Sequence, residues 1–253
     1  MAFPAGQRCR RNNEVILGAP PVNNRSPIDH IPDPLEGVHF LVGAGCVDLV
    51  KAFVDDVNTD ALSTLSVGNS TFQFVRSDLH YERLVTWLER VSYSNLRVLK
   101  LGEWVLFHNS YNLYGTLGDV TTLLTRTPRL ECLFLSGEFV LKRPVVLNHL
   151  KHLEVVVSDL DLSGPAKSLT QETVTNLLNS SFPKLETVFL DLNAPRPEVR
   201  YRLPDCFVNA ENVPPPRELE LAGPFAKGER GRILAGAVAK AAERLFLDEM
   251  REE

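Results

Sequence analysis

No run of apolar residues approaches the length of a bilayer span, and the opening Met1-Ala2-Phe3-Pro4-Ala5-Gly6-Gln7-Arg8 lacks the apolar stretch of a secretory signal. The expectation is a soluble, cytoplasmic protein with no membrane partner. Cysteine is sparse and scattered: Cys9, Cys46, Cys132 and Cys206 form no Cys-x-x-Cys pair and no close cluster. A chain of 253 residues needs no disulfide staples, so free thiols in a reducing compartment are expected. Basic charge is not in excess. The 27 Lys and Arg face 32 Asp and Glu, for a net charge of -5 with no long basic run. That sets nucleic acid aside as a main partner. No Gly-x-Ser-x-Gly elbow marks a hydrolase. What the chain does have is apolar content, 44% of residues, enough for a substantial core.

It also has a repeat. Pro128-Arg129-Leu130-Glu131-Cys132-Leu133-Phe134-Leu135 and Pro183-Lys184-Leu185-Glu186-Thr187-Val188-Phe189-Leu190 are near copies, each following a Leu-Leu pair (Leu123-Leu124 and Leu177-Leu178). Candidate strands of this kind are Val38-Val42, Leu62-Val67, Leu96-Leu101, Leu130-Leu135, Leu150-Val155, Leu185-Leu190 and Arg217-Leu221. They start near 38, 62, 96, 130, 150, 185 and 216, at steps of 24, 34, 34, 20, 35 and 31 residues. Unequal steps are tolerated in a stacked array, because only the strand side must match its neighbour.

Helix-like runs separate the strands. Leu79, Leu84, Leu88 and Val91 recur at helical spacing, with Ser77 or Asp78 as the cap. A second run carries Val174, Leu177 and Leu178, with Ser168 and Gln171 as a capping box. Thr127-Pro128 and Phe182-Pro183 end their helices, since a residue before proline avoids helical geometry. Short apolar segments such as Val155-Val156-Val157 set aside an all-helical array. Residues 1–35 read as a poorly ordered arm, interrupted by prolines, with Val15-Ile16-Leu17 as its one candidate strand and Arg8, Arg10 and Arg11 as a basic group. Residues 194–216 read as a proline-rich insertion. Residues 226–253 read as a capping helix, lined by Ile233, Leu234, Val238, Ala241, Leu245 and Phe246.

The segments Leu96-x-x-Leu99-x-Leu101, Leu130-x-x-Leu133-x-Leu135, Leu150-x-x-Leu153-x-Val155 and Leu185-x-x-Val188-x-Leu190 resemble leucine-rich repeats over roughly residues 36–225. The intervening helices make the chain similar to the intracellular, helix-bearing type, and to the repeat half of F-box proteins, although the arm carries no evident F-box. The resemblance implies an α/β leucine-rich repeat solenoid, with a curved parallel sheet on the concave face, helices on the convex face, and a protein partner on the sheet. One departure is plain. The family's Asn or Cys position is held here by Ser70, Trp104, Glu138, Ser158 and Asn193, of which only Asn193 fits.

Alternate strand residues point to opposite faces. With the leucines inward, Thr64, Ser66, Val98, Lys100, Cys132, Phe134, His152, Glu154, Thr187, Phe189, Glu218 and Glu220 face outward. The partner-binding candidates are Val98, Lys100, Cys132, Phe134, His152, Glu154, Thr187 and Phe189, with the two phenylalanines as anchors. Other chemistry finds little support. Val38-His39-Phe40-Leu41-Val42-Gly43-Ala44-Gly45 opens like a dinucleotide site, but Asp48 stands at the third glycine position and no acid follows near Val67. His149 and His152 have a metal-like spacing without a nearby third ligand. Asp159 and Asp161 read as turn carboxylates. The expectation is a non-catalytic protein-binding module with no cofactor and no metal. The alternatives are an adaptor using its arm or proline-rich loop for a second partner, and a nucleotide-dependent enzyme.

Overall fold

The computed structural model describes residues 14–17, 36–42, 46–69, 79–104, 115–157, 168–192 and 199–248. Along the chain the strands are β1 (Glu14–Leu17), β2 (Gly37–Val42), β3 (Thr64–Asn69), β4 (Leu79–His80), β5 (Val98–Trp104), β6 (Gly115–Asp119), β7 (Cys132–Ser136), β8 (Glu138–Val140), β9 (His152–Val156), β10 (Thr187–Asp191), β11 (Glu218–Ala222) and β12 (Arg244–Asp248). The helices are α1 (Cys46–Asp56), α2 (Glu82–Leu88), α3 (Thr121–Thr125), α4 (Gln171–Leu178), α5 (Asp205–Val208), α6 (Glu229–Ala235) and α7 (Ala237–Ala241). The architecture is α/β. A nine-stranded sheet runs β1-β2-β3-β5-β7-β9-β10-β11-β12, with every pairing parallel. Its strands lie side by side in the order in which the chain makes them. A second, three-stranded parallel sheet is β4-β6-β8.

The core follows from sequence register. Val38, Leu65, Leu99, Leu133, Leu153, Val188 and Leu219 are aligned across seven strands, and all are buried. Two residues on, Phe40, Val67, Leu101, Leu135, Val155, Leu190 and Leu221 make a second buried row. A third row precedes the strands: Leu62, Leu96, Leu130, Leu150 and Leu185 each donate a backbone N–H to the carbonyl three residues earlier, at 3.1–3.3 Å. Helix residues such as Phe53, Leu88, Leu123, Leu177, Phe207 and Ile233 join the same hydrophobic cluster, so the helices pack on the side of the aliphatic rows. Each fully buried aliphatic side chain contributes roughly 1.5–3 kcal/mol.

Several expectations need correction. The segment 226–253 is not one capping helix. Two short helices, α6 and α7, meet at Gly236, and the chain then returns as strand β12 beside β11. Gly236 cannot carry a side chain in this junction, because a Cβ there would meet the Val208 carbonyl oxygen at 2.5 Å. Residues 194–216 allow either an ordered loop or a flexible excursion by their prolines; over 199–216 Pro204 precedes α5, and Pro216 is buried at the position that Leu130 and Leu185 hold in their own segments. The helix placed over Leu79 to Val91 is shorter, because Leu79 belongs to β4, and Tyr81 caps α2 without a side-chain hydrogen bond. Ser77 and Asp78 lie outside the described residues. Thr170, not Ser168, caps α4, its hydroxyl accepting from Thr173 N at 3.1 Å. Gln171 instead clasps the next segment, donating to Arg202 O at 2.8 Å and accepting from Arg202 N at 2.9 Å. The candidate strand of the arm, Val15-Ile16-Leu17, is present within β1, which pairs with β2 and forms one edge of the sheet.

Candidate functional site

The residues between the aliphatic positions make two rows on the opposite face of the large sheet. One row is Thr64, Val98, Cys132, His152, Thr187, Glu218 and Arg244. The other is His39, Ser66, Lys100, Phe134, Glu154, Phe189, Glu220 and Phe246. The structure thus brings all eight partner-binding candidates together on β5, β7, β9 and β10, each half-buried. Ser66 departs from the pattern and is buried. Phe246, which a helical reading of the end did not place here, is 57% exposed.

The contacts on this face link neighbouring strands. Lys100 Nζ lies 4.2 Å from the centroid of the Phe134 ring, a cation–π geometry. The other side of that ring meets His152, with centroids 4.9 Å apart, and His152 Nε2 is 3.3 Å from Glu154 Oε2. Arg244 pairs with Glu218 at 2.8 Å. Over β9 to β12 the face hollows into a shallow groove of about 380 Å³, whose lining includes Glu154, Phe189, Glu218, Glu220, Arg244 and Phe246. Burial, then the charge of Glu131, pushes the Cys132 thiol up, away from the thiolate form that reactive cysteines use.

Along the start of the strands runs a border of alternating charge: Arg97, Glu131, Lys151, Glu186 and Arg217, each joined to the next by a backbone hydrogen bond of 2.7–2.8 Å. Glu131 sits between Arg97 at 2.5 Å and Lys151 at 2.9 Å, and Arg217 reaches Glu243 at 3.4 Å. A shift of any strand by one neighbour would set like charges together. The hydrogen bond from Lys151, aided by the charges of Lys151 and Arg97, holds the Glu131 carboxyl below its ordinary range against desolvation. Such a carboxyl stabilises the fold above its unfolded value of about 4.3 and loses that effect as pH falls through the lower folded value. Melting temperature is therefore expected to drop less steeply below pH ~4.5 in Glu131→Gln than in the native chain. Parallel melting profiles at every pH would show that the network takes no part in the acid response.

The remaining candidates are dispersed. His149 is exposed, with Nδ1 3.5 Å from Lys184 Nζ, while His152 belongs to the sheet face. Among the described residues, no group of three or more His, Cys, Asp and Glu side chains is placed to hold a metal ion. Asp48 lies in the first turn of α1; Gly43-Ala44-Gly45, Asp159 and Asp161 lie outside the described residues, as do Ser70, Ser158 and Asn193. Trp104 and Glu138 fall in β5 and β8. Cys132 and Cys206 are free thiols. Among the described residues, no helix is long and apolar enough to cross a membrane. No protein-family model matches the chain, and neither does any curated protein or solved structure.

Proposed function

We propose that the chain is a leucine-rich-repeat-type solenoid, and that the open face of its curved sheet binds a protein partner without catalysing a reaction. The observation that carries this reading is the row Lys100, Phe134, Glu154, Phe189, Glu220 and Phe246, in register on adjacent strands and incompletely buried. Aromatic rings on a sheet face cost solubility unless something covers them, and they are common anchors at interfaces. Strand after strand in chain order, with aliphatic rows on one side, supports the stacked-repeat architecture. The free thiols suit a reducing, cytoplasmic setting.

The double variant Phe134→Ala/Phe189→Ala tests the reading. Its melting temperature is expected to stay within ~3 °C of native, as for substitutions away from the core. Affinity capture from a native lysate, quantified by mass spectrometry, is expected to return a protein that the native chain retains and the double variant loses. Unfolding of the variant would make these rings core, and an unchanged capture profile would move the binding surface elsewhere. Because β1 is part of the sheet, a truncation aimed at the arm must stop before Glu14 to leave this test undisturbed.

A further inference from the structure

The last strand of the large sheet has one open side. β12 pairs with β11, and among the described residues no strand lies beyond it. Arg244 N donates to Arg217 O at 2.9 Å, so the backbone groups of Arg244 and Phe246 turn toward β11. Those of Leu245 and Leu247 point by alternation to the open edge, where they form a template for another strand. The aliphatic rows also end here incompletely covered. Leu219 and Leu221 are fully buried, whereas Leu245 and Leu247, their partners in register, are half-buried. On the other face Phe246 is 57% exposed.

The residues of this strand narrow what can join it. Arg244-Leu245-Phe246-Leu247-Asp248 has the same apolar order from either end, with opposite charges at its two ends. We infer that β12 pairs antiparallel with β12 of a second copy of this chain, across a two-fold axis at Phe246. In that register Leu245 faces Leu247 of the second copy, and Leu247 faces its Leu245. Each of these pairs exchanges both of its backbone hydrogen bonds. Phe246 meets its own copy at the closer, non-hydrogen-bonded position, and Arg244 stands opposite Asp248 at each end. Arg244 Nη1 already holds Glu218 at 2.8 Å, and the remaining donors of the guanidinium fork serve a second carboxylate. The next register in either direction sets Arg244 or Asp248 opposite Phe246 and loses both ion pairs. Glu243, just before the strand, has its counter-ion in Arg217 at 3.4 Å. A two-fold pair occupies both open edges and stops at two copies. The inference is separate from the binding role proposed above, which stands on Phe134 and Phe189.

Analytical ultracentrifugation of the full chain over ~1–200 µM tests it. A concentration-dependent equilibrium between monomer and dimer is expected, weak because the interface is small. Arg244→Asp alone, or Asp248→Arg alone, sets like charges opposite each other at both ends. Each is expected to raise the dissociation constant at least ~10-fold. An equimolar mixture of the two variants restores both ion pairs, one copy carrying two acids and the other two arginines. It is expected to dimerise like the native chain, a repair that a mere folding defect in β12 would not show. A native chain still monomeric at ~200 µM would overturn the inference, and it needs no variant to do so. Single variants that dimerise as tightly as the native chain, or a mixture no tighter than its components, would overturn it too. Species that grow beyond two copies would assign the edge to β1 of the next copy, head to tail, and overturn the two-fold pairing.

Discussion

Gly102→Ala is expected to lower stability by about 3 kcal/mol, read as a reduced midpoint in urea unfolding at unchanged slope. Gly102 has φ +79°, in the left-handed region that side chains avoid. It is also the extra residue of a bulge: Val67 pairs with Leu101, whereas Gly68 pairs with Glu103. A Cβ at this point would stand 1.9 Å from the carbonyl oxygen of Ser136 on β7 and 3.0 Å from its carbon. Backbone cannot step aside as a flexible side chain can, so two adjacent strands must move together. Gly231→Ala supplies the contrast. It lies within α6 and its added Cβ would meet nothing within 4 Å, so a gain of ~0.5–1 kcal/mol is expected. An unchanged midpoint for Gly102→Ala would show that the bulge relaxes without loss.

Glu229→Ala is expected to cost about 2–4 kcal/mol and to loosen residues 199–232 selectively. The Glu229 side chain is 3% exposed. It accepts from Leu203 N at 2.7 Å, from Arg232 Nε at 3.0 Å and from Arg232 Nη2 at 2.5 Å. Arg232 in turn bonds Asp205 and the Leu203 carbonyl. One carboxylate thus ties the proline-rich segment to α6, and its removal leaves a buried N–H and a half-buried guanidinium without their acceptor. Hydrogen exchange should accelerate first at the Leu203 amide, with β7 and β9 unaffected. Uniform acceleration across the sheet would mean that the segment does not open by itself. Glu229→Gln, which keeps an acceptor but loses the charge, should fall between the two.

The two-residue alternation made the sheet legible from sequence: Leu99, Leu133, Leu153 and Leu219 were bound to one face, which sent Lys100, Phe134, Glu154 and Glu220 to the other. The C-terminal strand was not legible, because Val238, Ala241 and Leu245 also satisfy helical spacing. Only the tertiary fit of Gly236 against Val208, and the ladder offered by β11, decide against one long helix. Arg244 and Phe246 were lost from the site for the same reason. The strands of the small sheet were missed because Leu79–His80 and Glu138–Val140 are too short to carry a period. Over 199–216 the prolines break the pattern in sequence and left an ordered loop and a flexible excursion equally open; in the fold Pro216 is buried, and Tyr201 OH donates to Leu169 O at 2.9 Å. The step from β7 to β9 is short for a visible reason. Glu138–Val140 and the buried Leu141, Val145 and Leu147 fill that side where the other steps place helices.

Because each strand of the large sheet abuts only those made just before and just after it, β1 and β12 sit at opposite rims. A mechanical load between those rims would act on the ribbon in series and at right angles to its strands. It would strain the backbone bonds between neighbouring strands along their own direction, so the sheet would part at its weakest strand interface and not shear as a block.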